Sequence, residues 1–191
     1  MLRTKTRTTP RTKTRKKTRS PRTIAATLSP TAEPKAGLPR FPEYGLKPRK
    51  QYLPWKHATE RLEKSRNYWI VTSGPGGRPH AMPVWGFWLD GTLYFGTGRS
   101  SRKWRNLERN PRIVVHLESG DDVVIVEGTA HEVKSLDKAL AQKLKQASQK
   151  KYGMWMPPDP KHNVLIAVQP RVAFAWTEKE FPTTATRWQF D

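Results

Sequence analysis

The segment from residue 78 to residue 107, RPHAMPVWGFWLDGTLYFGTGRSSRKWRNL, constrains the fold of this chain more than any other stretch. His80–Leu89 is an apolar run rich in Val, Phe and Trp, which predicts a strand buried on both faces. Asp90-Gly91 supplies the positive φ angles that a two-residue hairpin turn requires. Thr92–Thr97 then returns as a second strand, so the segment predicts a β-hairpin.

The loop after this hairpin has the composition of an anion-binding site. Residues 98–103 combine small residues, hydroxyls and adjacent bases, and Trp104–Arg109 predicts a short helix directly behind them. Backbone N–H groups at a helix start have no partner inside the helix, and the helix dipole favours negative charge there. We therefore expect the loop to hold a phosphate group and the hairpin to carry the ring of a phosphate-bearing cofactor.

The rest of the chain adds four strands, mostly joined by tight turns, and at least two helices. The further strands are expected at Tyr68–Thr72, Arg112–Glu118, Val123–Val133 and Val164–Trp176. Pro54 opens one helix, and apolar residues from Leu136 to Ala147 line one face of another. Gly128 indicates a bulge, and Pro170 indicates an edge or a bulge. The pattern predicts a mainly β fold, a small six-stranded antiparallel β-barrel with peripheral helices.

The N-terminal residues differ in composition from the rest of the chain. Residues 1–50 hold 15 basic and two acidic residues, whereas residues 51–191 hold 21 basic and 14 acidic ones. A segment so poor in apolar residues cannot offset the entropy of ordering, so we expect a disordered basic tail at 1–40 and one folded domain at 41–191. The tail could bind nucleic acid through phosphates, but it has no aromatic residue to stack on bases, and we favour an extension translated from a misassigned start.

Several classes of protein and site are disfavoured by what the sequence lacks. There is no cysteine for a disulfide, a thiolate nucleophile or a metal ligand, and no apolar run of membrane-spanning length. The basic start lacks the apolar region of a secretory signal, although it loosely resembles an organelle transit peptide. The histidines show no metal-ligand spacing, and we expect no metal site. A cytoplasmic location fits these features best.

A set of short motifs makes the chain similar to a known family. The matching stretches are Gly77–Trp85, Asp90-Gly91, Tyr94–Gly98, Ser101-Arg102-Lys103, Asn106-Leu107, Asn110-Pro111-Arg112, Val126–Ala130 and Thr186–Phe190. Over roughly residues 40–191 the chain resembles the pyridoxamine 5'-phosphate oxidase-like family of FMN-binding split barrels. It is most similar to the branch that includes enzymes using the deazaflavin coenzyme F-420.

The resemblance implies a homodimer of six-stranded split barrels with two cofactor sites at the subunit interface. It assigns the grip on the cofactor phosphate to Ser101, Arg102 and Lys103, and a position near the phosphate or ribityl chain to Thr97. The strand Met82, Pro83, Val84 and Trp85 is expected to lie against the ring. Arg187 and Trp188 are expected to approach the ring from the partner chain. No catalytic side chain is assigned, and His80 is considered only as a proton donor.

The function expected from these features is that of an FMN- or F-420-dependent oxidoreductase acting on a small conjugated or aromatic substrate. Pyridoxamine phosphate itself is a less favoured substrate, because its phosphate needs a second basic cluster that the C-terminal half does not display. Two alternatives remain open: a non-catalytic cofactor- or heme-binding split barrel, and nucleic-acid binding through the basic tail. The sequence does not separate FMN from F-420, because one phosphate loop would serve both.

Overall fold

The computed structural model describes residues 33–155, 157 and 159–191. The strands are β1 (Lys35–Gly37), β2 (Asn67–Ser73), β3 (Pro79–Leu89), β4 (Thr92–Gly98), β5 (Arg112–His116), β6 (Asp122–Glu132), β7 (Asn163–Thr177) and β8 (Thr186–Gln189). The α-helices are α1 (Trp55–Lys64), α2 (Arg102–Arg109), α3 (Lys138–Tyr152) and α4 (Phe181–Thr184). No helix in this part of the chain is long and apolar enough to cross a membrane.

Strands β2 to β7 form a closed antiparallel barrel. Neighbouring strands follow the order β7-β4-β3-β2-β5-β6, and β6 pairs again with β7 to close the wall. Strand β8 is added beside the C-terminal half of β7, and β1 is added beside β8. The prediction of a mainly β fold built on a six-stranded antiparallel barrel is confirmed.

The predicted hairpin turn and the predicted bulge are found at the expected residues. Asp90 and Gly91 have φ angles of 50° and 76°, as the tight turn between β3 and β4 requires. The register between β6 and β7 shifts at Gly128, which pairs with Pro170. A Cβ atom on Gly128 would collide with the backbone carbonyl of Gln169, so this crossing needs a glycine.

Strand β3 departs from the prediction that it is buried on both faces. Only its second half pairs with β4, through residues Gly86–Leu89. Residues 79–85 pair with β2 alone, and within them the side chains of Met82 and Trp85 are 45% and 41% exposed. The apolar run is therefore a strand that pairs with β4 only in its second half. The barrel wall is split where β3 and β4 separate.

The N-terminal boundary also differs from the prediction. Residues 1–32 of the predicted tail lie outside the described residues. Lys35–Gly37, which the prediction placed in the disordered tail, form strand β1 and pair with Arg187–Gln189. The exposed edge of β8 offers free backbone groups that even a polar segment can pair with, and composition alone does not reveal that edge.

Candidate cofactor-binding site

The site is built where β4 ends and α2 begins. Ser101 is the N-cap of α2, and its hydroxyl accepts a 3.2 Å hydrogen bond from the backbone N–H of Trp104. Helix α2 is fixed against the barrel by Trp104 and Leu107, which are buried in the core. Buried Asn106 donates a 3.0 Å bond to the Thr72 hydroxyl on β2. The helix start is thus held in one place and orientation.

Three of the predicted cofactor-binding residues form one hydrogen-bonded cluster. Thr97 donates a 3.0 Å bond to the Ser101 hydroxyl, and the Lys103 ammonium lies 3.4 Å from the Thr97 hydroxyl. Because the Ser101 oxygen accepts from both Thr97 and Trp104, its own proton is free to donate outward. The cluster therefore offers a hydroxyl donor and a cation beside the free N–H groups of the first helical turn.

The two bases at the start of α2 lack acidic partners among the described residues. Neither Arg102 nor Lys103 forms an ion pair with an acidic side chain of the described residues. Lys103 is half-buried, and this burial lowers the pKa of its ammonium. An unpaired, partly buried cation beside free donors fits the dianionic phosphate of a nucleotide cofactor.

His80 on β3 faces the same basic pair. Burial lowers the pKa of His80, and the positive charges of Arg102 and Lys103 lower it further. His80 pairs with Thr72 on β2, and the Thr72 hydroxyl accepts the bond from Asn106, so the start of β3 lies close to α2. The structure brings His80 to the cluster, although the sequence offered only a general reason to consider it.

The split gives the predicted ring-binding strand a free edge. Residues Met82, Pro83, Val84 and Trp85 pair with β2 on one side, and β4 does not pair with them on the other. Pro83, which has no N–H to donate, is tolerated beside such an edge. Gly96–Gly98 of β4 likewise lack a partner on β3, so Thr97 of the cluster and Met82–Trp85 lie on the two sides of the opening where β3 and β4 separate.

A cavity of about 360 Å³ adjoins the opening, between the outer face of β3, β4 and β7 and the helix α3. Val84, Trp85 and Thr97 line both the cavity and the opening. The Trp85 ring stacks on the Tyr152 ring, with centroids 4.5 Å apart and planes at 10°. The second tryptophan of β3, Trp88, is buried in the barrel core, as the strand alternation requires.

Two residues assigned by resemblance or by charge make other contacts. Within one chain, Trp188 is 1% exposed and packs in the barrel core against Trp55, at 5.2 Å between ring centroids. Its contact with a cofactor ring from a partner chain stays a prediction. Arg99, considered as an additional phosphate contact, forms a 2.8 Å ion pair with Glu132 and binds the Pro160 carbonyl. It fastens the segment before β7 to the loop before α2.

Arg187 is separate from the cluster within one chain. It lies on β8, on the opposite strand face from Trp188, and its guanidinium donates a 3.2 Å bond to the Gln189 side chain. A contact with the cofactor from a partner chain stays a prediction. No group of three or more acidic or histidine side chains in the described residues could hold a metal ion.

Comparison with known proteins identifies the family of this chain. Residues 54–177 match a sequence model described as pyridoxamine 5'-phosphate oxidase. The chain belongs to the pyridoxamine 5'-phosphate oxidase family. The match covers the barrel from α1 to the end of β7, including the whole cluster around Ser101, and it confirms the predicted family.

Solved structures of this fold support the same assignment. General Stress Protein 26 from Bacillus anthracis str. Sterne is 29% identical, with 63% of this chain and 91% of that chain covered and a TM-score of 0.51. The conserved hypothetical protein Rv2991 from Mycobacterium tuberculosis is 26% identical, with 65% and 85% covered and a TM-score of 0.55. A FAD-binding protein from Mesorhizobium loti shares the fold at 20% identity, with 71% and 93% covered and a TM-score of 0.52. No curated protein sequence matches the chain.

The part of the site that sequence reasoning missed is the cavity wall, which this member of the pyridoxamine 5'-phosphate oxidase family builds from distant segments. Tyr152 and Trp155 come from the end of α3 and the loop after it, and Leu165 comes from β7. One signal was present in the sequence. Gly96 is a glycine in the middle of a strand, which indicates a position where a backbone or a ligand approaches closely.

Proposed function

We propose that the chain binds a flavin or deazaflavin cofactor, FMN or coenzyme F-420, and acts as an oxidoreductase. The cofactor would supply hydride transfer at its ring, to or from a small conjugated or aromatic substrate. The observation that carries the proposal is the start of α2, where Ser101, Arg102 and Lys103 follow one another and neither base forms an ion pair with a described acidic residue. Family membership supports the same conclusion.

Some residues of this chain would bind the cofactor phosphate, and others would shield the cofactor ring from water. Ser101 donates its free proton to a phosphate oxygen, and Arg102 and Lys103 neutralise the phosphate charge. The N–H groups of the first turn of α2 add neutral donors. The edge of Met82–Trp85 borders the ring and keeps water from one of its sides.

The decisive experiment is the visible absorption spectrum of purified protein after separate incubation with FMN and with F-420, followed by removal of free cofactor. A two-banded spectrum identifies a flavin, and a single band at shorter wavelength identifies the deazaflavin. Protein that takes up neither cofactor contradicts the proposal. Protein that binds a cofactor but reduces no conjugated substrate would be a non-catalytic carrier, and the oxidoreductase part would then be wrong.

The phosphate contacts are tested by a pair of matched double variants on one helix. Arg102→Ala with Lys103→Ala should weaken FMN binding by about 100-fold or more, because each lost charge-assisted bond is worth roughly 1.5–3 kcal/mol. Arg105→Ala with Arg109→Ala removes the same charge from exposed positions of α2. Equal losses in the two variants would indicate a general charge effect instead of a phosphate site.

We propose further that two copies form a homodimer and complete the sites at their interface. The exposed apolar side chains of Met82 and Trp85 beside the cluster support this, because exposed apolar patches mark interaction surfaces. Sedimentation equilibrium should give the mass of two chains. Mixing Arg187→Ala protein with the Arg102→Ala, Lys103→Ala protein should restore a fraction of tight sites. A monomer, or a mixture that restores none, contradicts the shared site.

A further inference from the structure

The cavity under α3 has a mostly apolar and aromatic lining, which a phosphate-binding role does not explain. We propose that it is the substrate compartment of the oxidoreductase, that it takes uncharged planar aromatic molecules, and that Gly96 sets the size of molecule it admits. The link between this compartment and turnover rests on the proposed function. The selectivity of the cavity itself follows from its walls alone.

Gly96 forms the floor of the cavity. It lies on β4 opposite Leu165 of β7, next to the pair Phe95 and Gly86 where β3 and β4 part. A Cβ atom built on Gly96 meets no other atom within 4 Å, and its φ angle is not in the left-handed region. The space beside Gly96 is therefore open because glycine has no side chain. The backbone conformation at this position does not itself require a glycine.

The cavity walls are mostly apolar and aromatic. The lining side chains of this kind include Phe87, Leu144, Met154, Trp155 and Leu165. Flat aromatic walls favour a flat aromatic guest, through burial of apolar area and stacking. A volume of about 360 Å³ lies at the small end of the usual range for ligand pockets, which suits a compound of a few fused rings.

The charges around the cavity disfavour an ionic guest. Asp159 is the one charged side chain in the lining as far as the structure describes it, and its carboxylate lies 2.7 Å from Nδ1 of His162. The Lys103 ammonium lies 3.4 Å from the Thr97 hydroxyl at one end of the cavity, where it is assigned to the cofactor phosphate. Away from that end, an ion entering the apolar interior would lose water without gaining a partner. Thr97 and Asn163, at the end where β4 and β7 finish, provide polar groups for one polar end of the guest.

The wall opposite the floor is fixed in place. The Tyr152 hydroxyl donates a 2.7 Å bond to the Arg66 carbonyl and accepts a 2.9 Å bond from the Gly86 N–H. Tyr152 also stacks on Trp85, so the end of α3 is tied to β3 and to the residue that precedes β2. The cavity is therefore preformed, and Val84 and Trp85 connect it to the strand proposed to border the cofactor ring.

The test uses the full chain and the uncharged two-ring probe 1-naphthol, with binding measured by equilibrium dialysis. Gly96→Ala should weaken 1-naphthol binding several-fold and Gly96→Val at least tenfold, while FMN binding changes less than threefold. Gly37→Val is the matched control, because Gly37 also lies in a strand with open space around its Cβ position, away from the cavity. The anion 1-naphthoate should bind at least tenfold more weakly than 1-naphthol.

Each other outcome has a defined meaning. Equal 1-naphthol binding by the Gly96 variants, or loss of FMN binding in Gly96→Val while its unfolding midpoint is unchanged, overturns the proposal; in the second case the cavity holds the cofactor ring. Tight binding of 1-naphthoate overturns the charge selectivity. If wild-type protein binds no FMN and no F-420 but binds 1-naphthol in a manner sensitive to Gly96, the proposed function fails and the aromatic compartment stands.

Discussion

The hydroxyl of Thr97 donates a 3.0 Å hydrogen bond to the hydroxyl of Ser101, and this bond joins the end of strand β4 to the residue that caps helix α2. One oxygen therefore caps the helix and also closes a polar cluster at the split in the barrel. The two roles can be separated by substitution, because a cap needs only an acceptor whereas a phosphate needs a donor.

Replacing Ser101 should reveal both roles. Ser101→Ala removes the cap and the donor, and should lower the free energy of unfolding by about 1 kcal/mol while weakening FMN binding. Ser101→Asp keeps a good cap but places a negative charge at the phosphate position, so stability should stay within about 0.5 kcal/mol of wild type while FMN binding is lost. Urea unfolding and FMN titration measure the two quantities. A Ser101→Asp protein that binds FMN normally would contradict the phosphate role.

An anion at the cluster should raise the pKa of His80. Burial lowers this pKa, and Arg102 and Lys103 lower it further, so charge compensation at the pair moves it upward toward the ordinary value. NMR titration of the histidine rings in sodium sulfate, compared with sodium chloride at equal ionic strength, measures the shift. Lys103→Met should raise the pKa of His80 without sulfate. His57, which lies on α1 beside Asp122 and whose pKa burial lowers, serves as the internal control; equal shifts at both histidines would contradict specific anion binding.

Loss of the buried hydrogen bond between Asn106 and Thr72 should lower both the stability of the protein and its affinity for FMN. Asn106→Ala leaves the Thr72 hydroxyl without its 3.0 Å partner and removes the link between α2 and β2. The free energy of unfolding should fall by about 1–3 kcal/mol. In a protein still folded at low temperature, FMN binding should also weaken, because the helix start is no longer fixed. The double variant Asn106→Leu with Thr72→Val removes both polar groups, and should recover part of the stability but not the affinity.

Local features of the site were predictable because they depend on neighbours in sequence. Thr97, Ser101 and Lys103 lie within seven residues, and a strand end followed by a helix start brings their side chains together whatever the rest of the fold does. The hairpin turn at Asp90-Gly91 and the bulge at Gly128 were predictable for the same reason. Each depends on a backbone conformation that a few residue types favour.

Features that depend on distant segments were not predictable. Trp85 meets Tyr152 only because α3 folds back over the outer face of the barrel, and no periodicity in either segment specifies that contact. The pair Arg187 and Trp188 is a different case. Arg187 and Trp188 are adjacent on a strand, so they point to opposite faces and cannot both reach the same ring from one side. The alternation alone was enough to separate them.

Lys151 should make stability depend on pH in the alkaline range. Its ammonium lies 2.8 Å from the Ser65 carbonyl and 3.0 Å from the Tyr68 hydroxyl, and burial lowers the pKa of Lys151 to about 8 from an ordinary value of 10.5. Between these two values the unfolded chain binds more protons than the folded chain, so this group makes the folded state relatively more stable as pH rises from 8 to 10.5. The benefit is absent below pH 8, where the buried ammonium is charged in the folded state.

The contribution of Lys151 is isolated by comparing variants under the same conditions. Lys151→Met removes the titrating group, so the difference in free energy of unfolding between wild type and this variant should change with pH in favour of wild type between pH 8 and 10.5. Lys150→Met, at an exposed position one residue earlier on α3, removes the same charge and is the control for the loss of a positive charge from this helix. Urea unfolding at half-unit steps from pH 7 to 10.5 gives both curves. A constant difference for Lys151→Met would mean that its ammonium keeps its ordinary affinity for protons in the folded protein, and that the end of α3 is more hydrated than its contacts with β2 and β3 imply.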